Sequence, residues 1–366
     1  MHHAVLAIAT APLMRILVTG AAGLIGGEVA ARLARHGHDV TALVHTAPAV
    51  RGNDRQRVDG ITVVAGDVTR PGFGLAGLPR VDLVIHGAAI TAFVAAPAAY
   101  RAVNIDGTAH AIDVARQAGA GLLHISTAYV CGVSDGIIAE ADIGTHFANG
   151  YEASKAAGEA LVRASGLCWA IARPSVVVGD WRDGAISRFE NIYMIFRLIA
   201  ERRVRTLPGA PGASLDLVPI DHVAGGIVAM AENLARVAGH SLHLVGSGPT
   251  PLTAIAAAIA AVPGLGAPRF VAPAAFDLAA LLPVERRYHA AAAALYTNYL
   301  LRSPRFDTAH AAALLPQCPP TDRGWLDRLI GYCVDQGFVT AKPNGPALTH
   351  FEASDTAARA GGVDPS

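Results

Sequence analysis

The sequence predicts an α/β protein built on a doubly wound parallel sheet, with a smaller, mainly helical C-terminal lobe. Three observations carry that reading. Between residues 15 and 173, short β-branched runs alternate with helical stretches, the order of a sheet wound on both faces. The runs are continuously apolar instead of alternating, as strands covered by helices on both sides are. A glycine-spaced turn joins the first run to the first helical stretch. The 366 residues are 52% hydrophobic and 16% charged, and a chain of that length buries roughly 75% of its unfolded surface without disulfides or a structural metal.

In order, strands are expected at 16–19, 40–45, 61–65, 83–86, 122–126 and 169–173, with helices near 24–36, 100–118 and 151–165. Ile25, Val29 and Leu33 lie four apart and give the first helix one apolar stripe for the sheet. After Pro174 the regularity breaks. Residues 179–219 hold Gly/Pro clusters around an amphipathic stretch at 186–205 and read as a substrate-side insertion. A helix at 221–232 and a strand at 242–245 return to the sheet, and 252–338 reads as largely helical. The expected organisation is an N-terminal extension at 1–13 ahead of Met14, a dinucleotide-binding domain at 14–178, and a substrate region with the C-terminal lobe at 179–340. Residues 219–246 rejoin the sheet, and a tail at 341–366, rich in Ala, Gly, Pro and Asp, is expected to be disordered.

Twenty-nine basic residues balance twenty-nine acidic ones, so the chain lacks the basic footprint of a nucleic-acid binder. No apolar run reaches the roughly 18 residues of a membrane span. Cys131, Cys168, Cys318 and Cys333 form no C-x-x-C pair; they read as buried small hydrophobes of a reduced, cytoplasmic protein. Neither His2-His3 nor His36-x-His38 has metal-ligand spacing, so no metal site is expected. A homodimer is compatible with all of this.

The turn is Thr19-Gly20-Ala21-Ala22-Gly23-Leu24-Ile25-Gly26. Gly20 permits the tight turn, Gly23 lets the N–H groups at the start of the helix approach a pyrophosphate, and Gly26 lets helix and strand pack closely; Leu24 and Ile25 complete the contact. This is the phosphate loop of a Rossmann dinucleotide site. An NAD-selective site places an acid at the end of the second strand, but this chain has His45 there, followed by Arg51 and Arg55. NADP(H) is therefore expected over NAD(H), with Arg51 or Arg55 on the 2′-phosphate. Gly66-Asp67-Val68 fits an adenine-contacting turn.

Tyr151 and Lys155 are four apart at the start of a helix and share one face. Eight tyrosines and only two lysines make that spacing an uncommon coincidence. An ammonium beside a phenol favours the phenolate, lowers its pKa from about 10 and makes it a competent acid/base. A hydroxyl is expected at the end of a central strand, from Ser126 or Thr127, and strand alternation allows only one of them to face the cleft.

Together these residues resemble the extended short-chain dehydrogenase/reductase family. The match runs from the glycine loop through Gly66-Asp67-Val68-Thr69, His86-Gly87-Ala88-Ala89, Val103-Asn104-x-x-Gly107-Thr108, Ser126-Thr127-Ala128-Tyr129-Val130 and Tyr151-x-x-x-Lys155 to Arg173-Pro174-Ser175. The resemblance implies Thr127 as the hydroxyl that polarises the substrate carbonyl, Tyr151 as acid/base, and Lys155 as the residue that binds the nicotinamide ribose. It further implies Ala88, Ala89 and Asn104 along the cofactor, and Pro174 and Ser175 near the nicotinamide amide. Within the family, His124 to Val130, Arg173 to Asp180 and Leu215 to Ala224 are most similar to the male-sterility branch of fatty acyl-CoA reductases and thioester reductase domains. That branch commonly carries arginine where this chain has His45.

The branch implies reduction of an acyl thioester, or its aldehyde, carried on coenzyme A or an acyl carrier protein. An apolar segment at 192–199 is placed for an acyl chain, with Arg197, Arg202, Arg203 and Arg205 as candidates for carrier phosphates. A ketone or hydroxysteroid-type oxidoreductase wants the same apolar pocket. A sugar-nucleotide epimerase or dehydratase uses the same three residues but wants a more polar lobe. A non-catalytic dinucleotide sensor needs the loop without the hydroxyl, phenol and ammonium together. Cys131, four residues beyond Thr127, has no identifiable base and reads as structural.

Overall fold

The computed structural model describes residues 12–341; the expectations for 1–11 and 342–366 lie outside the described residues. The chain forms β1 (Arg15–Thr19), α1 (Leu24–Arg35), β2 (Asp39–Val44), β3 (Thr62–Ala65), β4 (Leu83–His86), α2 (Gly107–Ala118), β5 (Gly121–Ile125), α3 (Gly150–Arg163) and β6 (Trp169–Pro174). These are followed by α4 (Ile192–Ala200), α5 (Ile220–Glu232), β7 (Ser241–Leu244), α6 (Leu252–Ala260), α7 (Pro283–Ala291) and α8 (Arg323–Asp335). The seven strands form one parallel sheet in the order β7-β6-β5-β4-β1-β2-β3. Chain order reverses between β1 and β4, so the connections leaving their carboxyl ends diverge and open a crevice there.

Burial fixes this arrangement. Ile16, Leu17 and Val18 of β1 and Val29 and Leu33 of α1 are fully buried, each such side chain contributing about 1.5–3 kcal/mol. The edge strand β3 departs from the expectation of continuous burial: it has one neighbour, and Val63 is exposed. Cys168 departs too, being exposed in the turn before β6, whereas Cys131 and Cys333 are buried.

The helix expected over 100–118 is interrupted. It opens as a single turn at Pro97–Tyr100, widens into a π-helical turn at Arg101–Asp106 and continues as α2. Asn104 lies in the wide turn, buried. The expected amphipathic helix at 186–205 is confined to α4, bracketed by positive φ at Asn191 (51°) and Arg202 (61°), which helical geometry does not allow.

α3 is seated by two devices. At its start Asn149 Oδ1 accepts from the Glu152 N–H (3.0 Å) and Glu152 Oε2 accepts from the Ala148 N–H (2.9 Å), a reciprocal cap. Along its length, buried Glu159 pairs with buried Arg173 of β6 (2.7 Å), whose guanidinium also donates to the carbonyls of Glu140 and Asp142. Most of the C-terminal helices pack in a second apolar cluster around Trp325, separate from the cluster beneath α1. No described helix is long and apolar enough to cross a membrane, and no metal-holding cluster occurs among the described residues.

Candidate active site

At the crevice, Gly20 has φ +69°, and a Cβ there would meet the Ala88 nitrogen at 2.6 Å. The loop after β1 can therefore lie directly against the loop after β4. A Cβ on Gly26 would run into the Gly20 carbonyl, so α1 starts hard against the strand end. Gly23 is the N-cap of α1 and supplies no capping side chain. The first N–H groups of the helix are thus free for an anion, with the positive end of the helix dipole behind them. This cradle fits a dinucleotide pyrophosphate.

The cradle opens on a cavity of about 840 Å³. Of the residues expected to serve the cofactor, Gly20, Gly23, Leu24, Ile25, Gly26, His45, Asp67, Val68, Ala88, Ala89, Pro174 and Ser175 line it, together with Thr127, Tyr151 and Lys155. Asp67 accepts from the Thr69 N–H and hydroxyl (2.9 and 2.7 Å), which hold its carboxylate below the usual range. Ser175 donates to Asp216 (2.5 Å), a buried carboxyl pushed up to about 6.

Three expected cofactor residues do not line the cavity. Arg51 donates to the Arg55 carbonyl (3.0 Å), and Arg55 donates to Gln336 and to the Ile186 carbonyl, so both are used to brace the loop after β2. Asn104 bonds both backbone groups of Ile90 and the Ser154 hydroxyl, pinning the loop after β4 to α3. Arg188, which the sequence did not single out, donates to the Ala22 carbonyl of the glycine loop (2.6 Å) from the 185–188 segment and, like Arg51 and Arg55, does not line the cavity. Its 166-residue separation from Ala22 leaves no local signal. Asn53 bonds the same segment at Ala185 and Ser187, placing Arg188 between the glycine loop and the loop after β2.

Burial pushes the Tyr151 phenol up to about 12, although the Thr127 hydroxyl acts to lower it. The expectation that Lys155 pulls it down is corrected: Lys155 turns its ammonium to the Ile125 carbonyl (2.7 Å) and His124 Nε2 (3.2 Å), and burial pushes it down to about 8. Both Ser126 and Thr127 line the cavity, which the alternation argument did not allow, because the strand ends at Ile125 and the chain turns. Thr127 donates to the Pro174 carbonyl (3.3 Å), while the Ser126 hydroxyl is buried with no hydrogen-bond partner among the described residues.

Past Tyr151 the cavity runs into the C-terminal lobe between Ile195, Leu215, Leu252, Phe270, Leu329 and Ile330. Among the described residues, Glu190 is the only charged one on that wall. Phe93 and Tyr299 stack at 5.2 Å, with Phe93 6.3 Å from the Tyr151 ring. Tyr299 donates to buried Glu152 (2.5 Å), and Arg302 pairs with the same carboxylate (3.4 Å), so the lobe grips the cap of α3. Arg197 and Arg203 pair with Glu201, and none of Arg197, Arg202, Arg203 and Arg205 lines the cavity.

A polyphosphate cradle and an acid/base group facing one cavity are what hydride transfer on this fold requires, the arrangement of NAD(P)-dependent oxidoreductases of the extended short-chain dehydrogenase/reductase type. The chain belongs to the male sterility protein family, whose model matches residues 18–227. It is 28% identical over 192 residues to glycine betaine reductase ATRR of Emericella nidulans, covering 48% of this chain and 15% of that protein. It is 25% identical over 235 residues to 3-beta-hydroxysteroid dehydrogenase of Mycolicibacterium neoaurum, covering 60% of this chain and 61% of that protein. The chain thus spans less than two thirds of these relatives. The terminal R domain from the myxalamid PKS-NRPS pathway shares the fold with a TM-score of 0.77 at 24% identity, over 91% of this chain and 93% of that one.

Proposed function

We propose that the protein reduces an acyl thioester, or the aldehyde released from it, using NADPH. The observation that carries this is the apolar wall beyond Tyr151, with one charged residue, Glu190, and that an anion. Such a wall suits an acyl chain and gives a diphospho-sugar no cation to bind. A nicotinamide dinucleotide held along the glycine loop supplies the hydride. Thr127 and Tyr151 hold the carbonyl oxygen as it gains negative charge, and Tyr151 delivers the proton. Carbon gains hydride and oxygen gains the proton; as the C–S bond then breaks, the hydroxyl loses that proton and the sulfur takes one, so thiol leaves and the aldehyde remains. Lys155 binds the cofactor ribose. The preference for NADPH rests on His45 standing where an acid would select NAD, and on Arg188 beside the loop.

The same wall favours a second reading, reduction of a ketone in an apolar or steroid-like substrate. Incubation with NADPH and a panel of acyl-CoA, acyl-carrier-protein, aldehyde and ketone substrates separates the two. Free thiol released in step with NADPH oxidation is the expected result. NADPH oxidation on ketones without thiol from any thioester establishes the second reading instead.

A further inference from the structure

Behind Lys155 lies a pair of buried imidazoles that the reaction above does not use. His124 of β5 and His86 of β4 are both fully buried and stack with ring centroids 5.4 Å apart. His124 Nε2 is 3.2 Å from Lys155 Nζ. His86 Nδ1 is 2.8 Å from the Thr19 hydroxyl, which accepts from the Ala88 N–H (3.3 Å). The imidazoles therefore fill the space between Lys155 and the loop that carries Ala88. A histidine in the middle of an otherwise apolar, fully covered strand is costly unless its nitrogens do something. Here one nitrogen meets the lysine, while His124 Nδ1 has no hydrogen-bond partner among the described residues.

We propose that His124 is a positioning residue for Lys155: its Nε2 lone pair accepts one ammonium N–H, the Ile125 carbonyl accepts a second, and the third is left for the cavity. An ammonium carries three donors and rotates freely, so two fixed acceptors determine where the third points. Accepting through Nε2 requires the proton on Nδ1 and a neutral ring. Burial, together with the adjacent Lys155 charge, holds His124 well below the usual histidine range, which keeps it neutral. Around Lys155 stand Glu159 of its own helix, His124 of β5 and His86 of β4 behind it, and Glu159 is in turn paired to Arg173 of β6; Tyr151, four residues earlier on the helix, lines the same cavity. Of these, His124 alone makes a side-chain hydrogen bond to the ammonium.

The role of Lys155 in the reaction rests on the proposed function, but the contact can be tested without any substrate. Lys155 and Lys342 are the only lysines in the sequence. In a Lys342→Arg background, protein labelled with ¹³C,¹⁵N-lysine therefore reports Lys155 alone. An acceptor stabilises the charged form, so His124→Leu is expected to lower the Lys155 pKa by about one pH unit. His124→Gln, which retains an acceptor, is expected to stay nearer the wild type. An unchanged titration in the leucine variant overturns the proposal, as does an equal displacement in both variants. If the leucine variant does not fold, the ¹⁵N shifts of His124 in the wild type decide: an unprotonated Nε2 supports the assignment and a protonated one overturns it. A displaced Lys155 pKa with unchanged NADPH turnover supports the contact and counts against the catalytic reading of Lys155.

Discussion

Replacing Lys155 with methionine is expected to abolish turnover while relieving the folded protein of a cost whose size follows from burial. Lys155 is 2% exposed and its pKa is pushed from 10.5 down to about 8. Each unit is worth 1.36 kcal/mol, so the folded state carries the charge at a penalty of about 3 kcal/mol near neutrality. Below pH 8 both folded and unfolded chains hold the proton, and the penalty is fully present. Between 8 and 10.5 the unfolded chain binds a proton that the folded one has released, so wild-type stability rises with pH. Methionine titrates nowhere. The stability of Lys155→Met relative to wild type should therefore fall by about 2 kcal/mol between pH 7 and pH 10. Urea unfolding followed by tryptophan fluorescence at each pH measures the difference, and other groups titrating in that range cancel between the two proteins. A difference that stays constant to within about 0.5 kcal/mol across the range would falsify the claim that Lys155 is held as a destabilised cation.

Tyr151→Phe is expected to lower kcat by about 100-fold or more while leaving NADPH affinity within about twofold, since it removes only the proton-donating hydroxyl; retention of a tenth of the activity would place the proton donor elsewhere. Arg188→Gln should weaken NADPH about tenfold and NADH much less, by fluorescence titration, if the guanidinium at Ala22 meets the 2′-phosphate. Equal losses would assign it to the pyrophosphate, and no loss to neither. Arg173→Met should cost about 3–5 kcal/mol in chemical denaturation, because Glu159 remains buried with its main partner gone. A cost near that of an exposed pair would mean that water reaches Glu159.

What the sequence made legible is what short spacing encodes. The glycine loop and the Tyr151/Lys155 pair are local patterns, and the strand and helix around them follow from apolar periodicity, so these residues could be placed at the crevice before any coordinates. Arg51 and Arg55 were singled out by nearness in sequence to the end of β2, which does not say where a long side chain turns; their guanidinium groups meet Gln336 and backbone carbonyls. Arg188 was invisible for the converse reason. The pull of Lys155 on Tyr151 was inferred from helical spacing, which brings Cβ atoms together but says nothing of the acceptors, the Ile125 carbonyl and His124, that draw a long side chain away. The π-helical turn at Arg101–Asp106 has no periodic mark in the sequence and appears only as an inward-facing Asn104.

The grip of Tyr299 and Arg302 on Glu152 bears on how such proteins can be recombined. Glu152 immediately follows Tyr151 and is wholly buried, and one of its carboxylate oxygens is met by two side chains contributed about 150 positions later. A chimaera that takes its substrate lobe from another protein will strand that carboxylate unless the donor brings an equivalent phenol and guanidinium. The damage would reach the acid/base residue through the first turn of its own helix, although nothing near it in sequence had changed. Specificity and chemistry are in this sense sold as a pair: exchange of the lobe beyond residue 246 calls for Tyr299 and Arg302 to be kept, or for Glu152 to be replaced by glutamine in the same step.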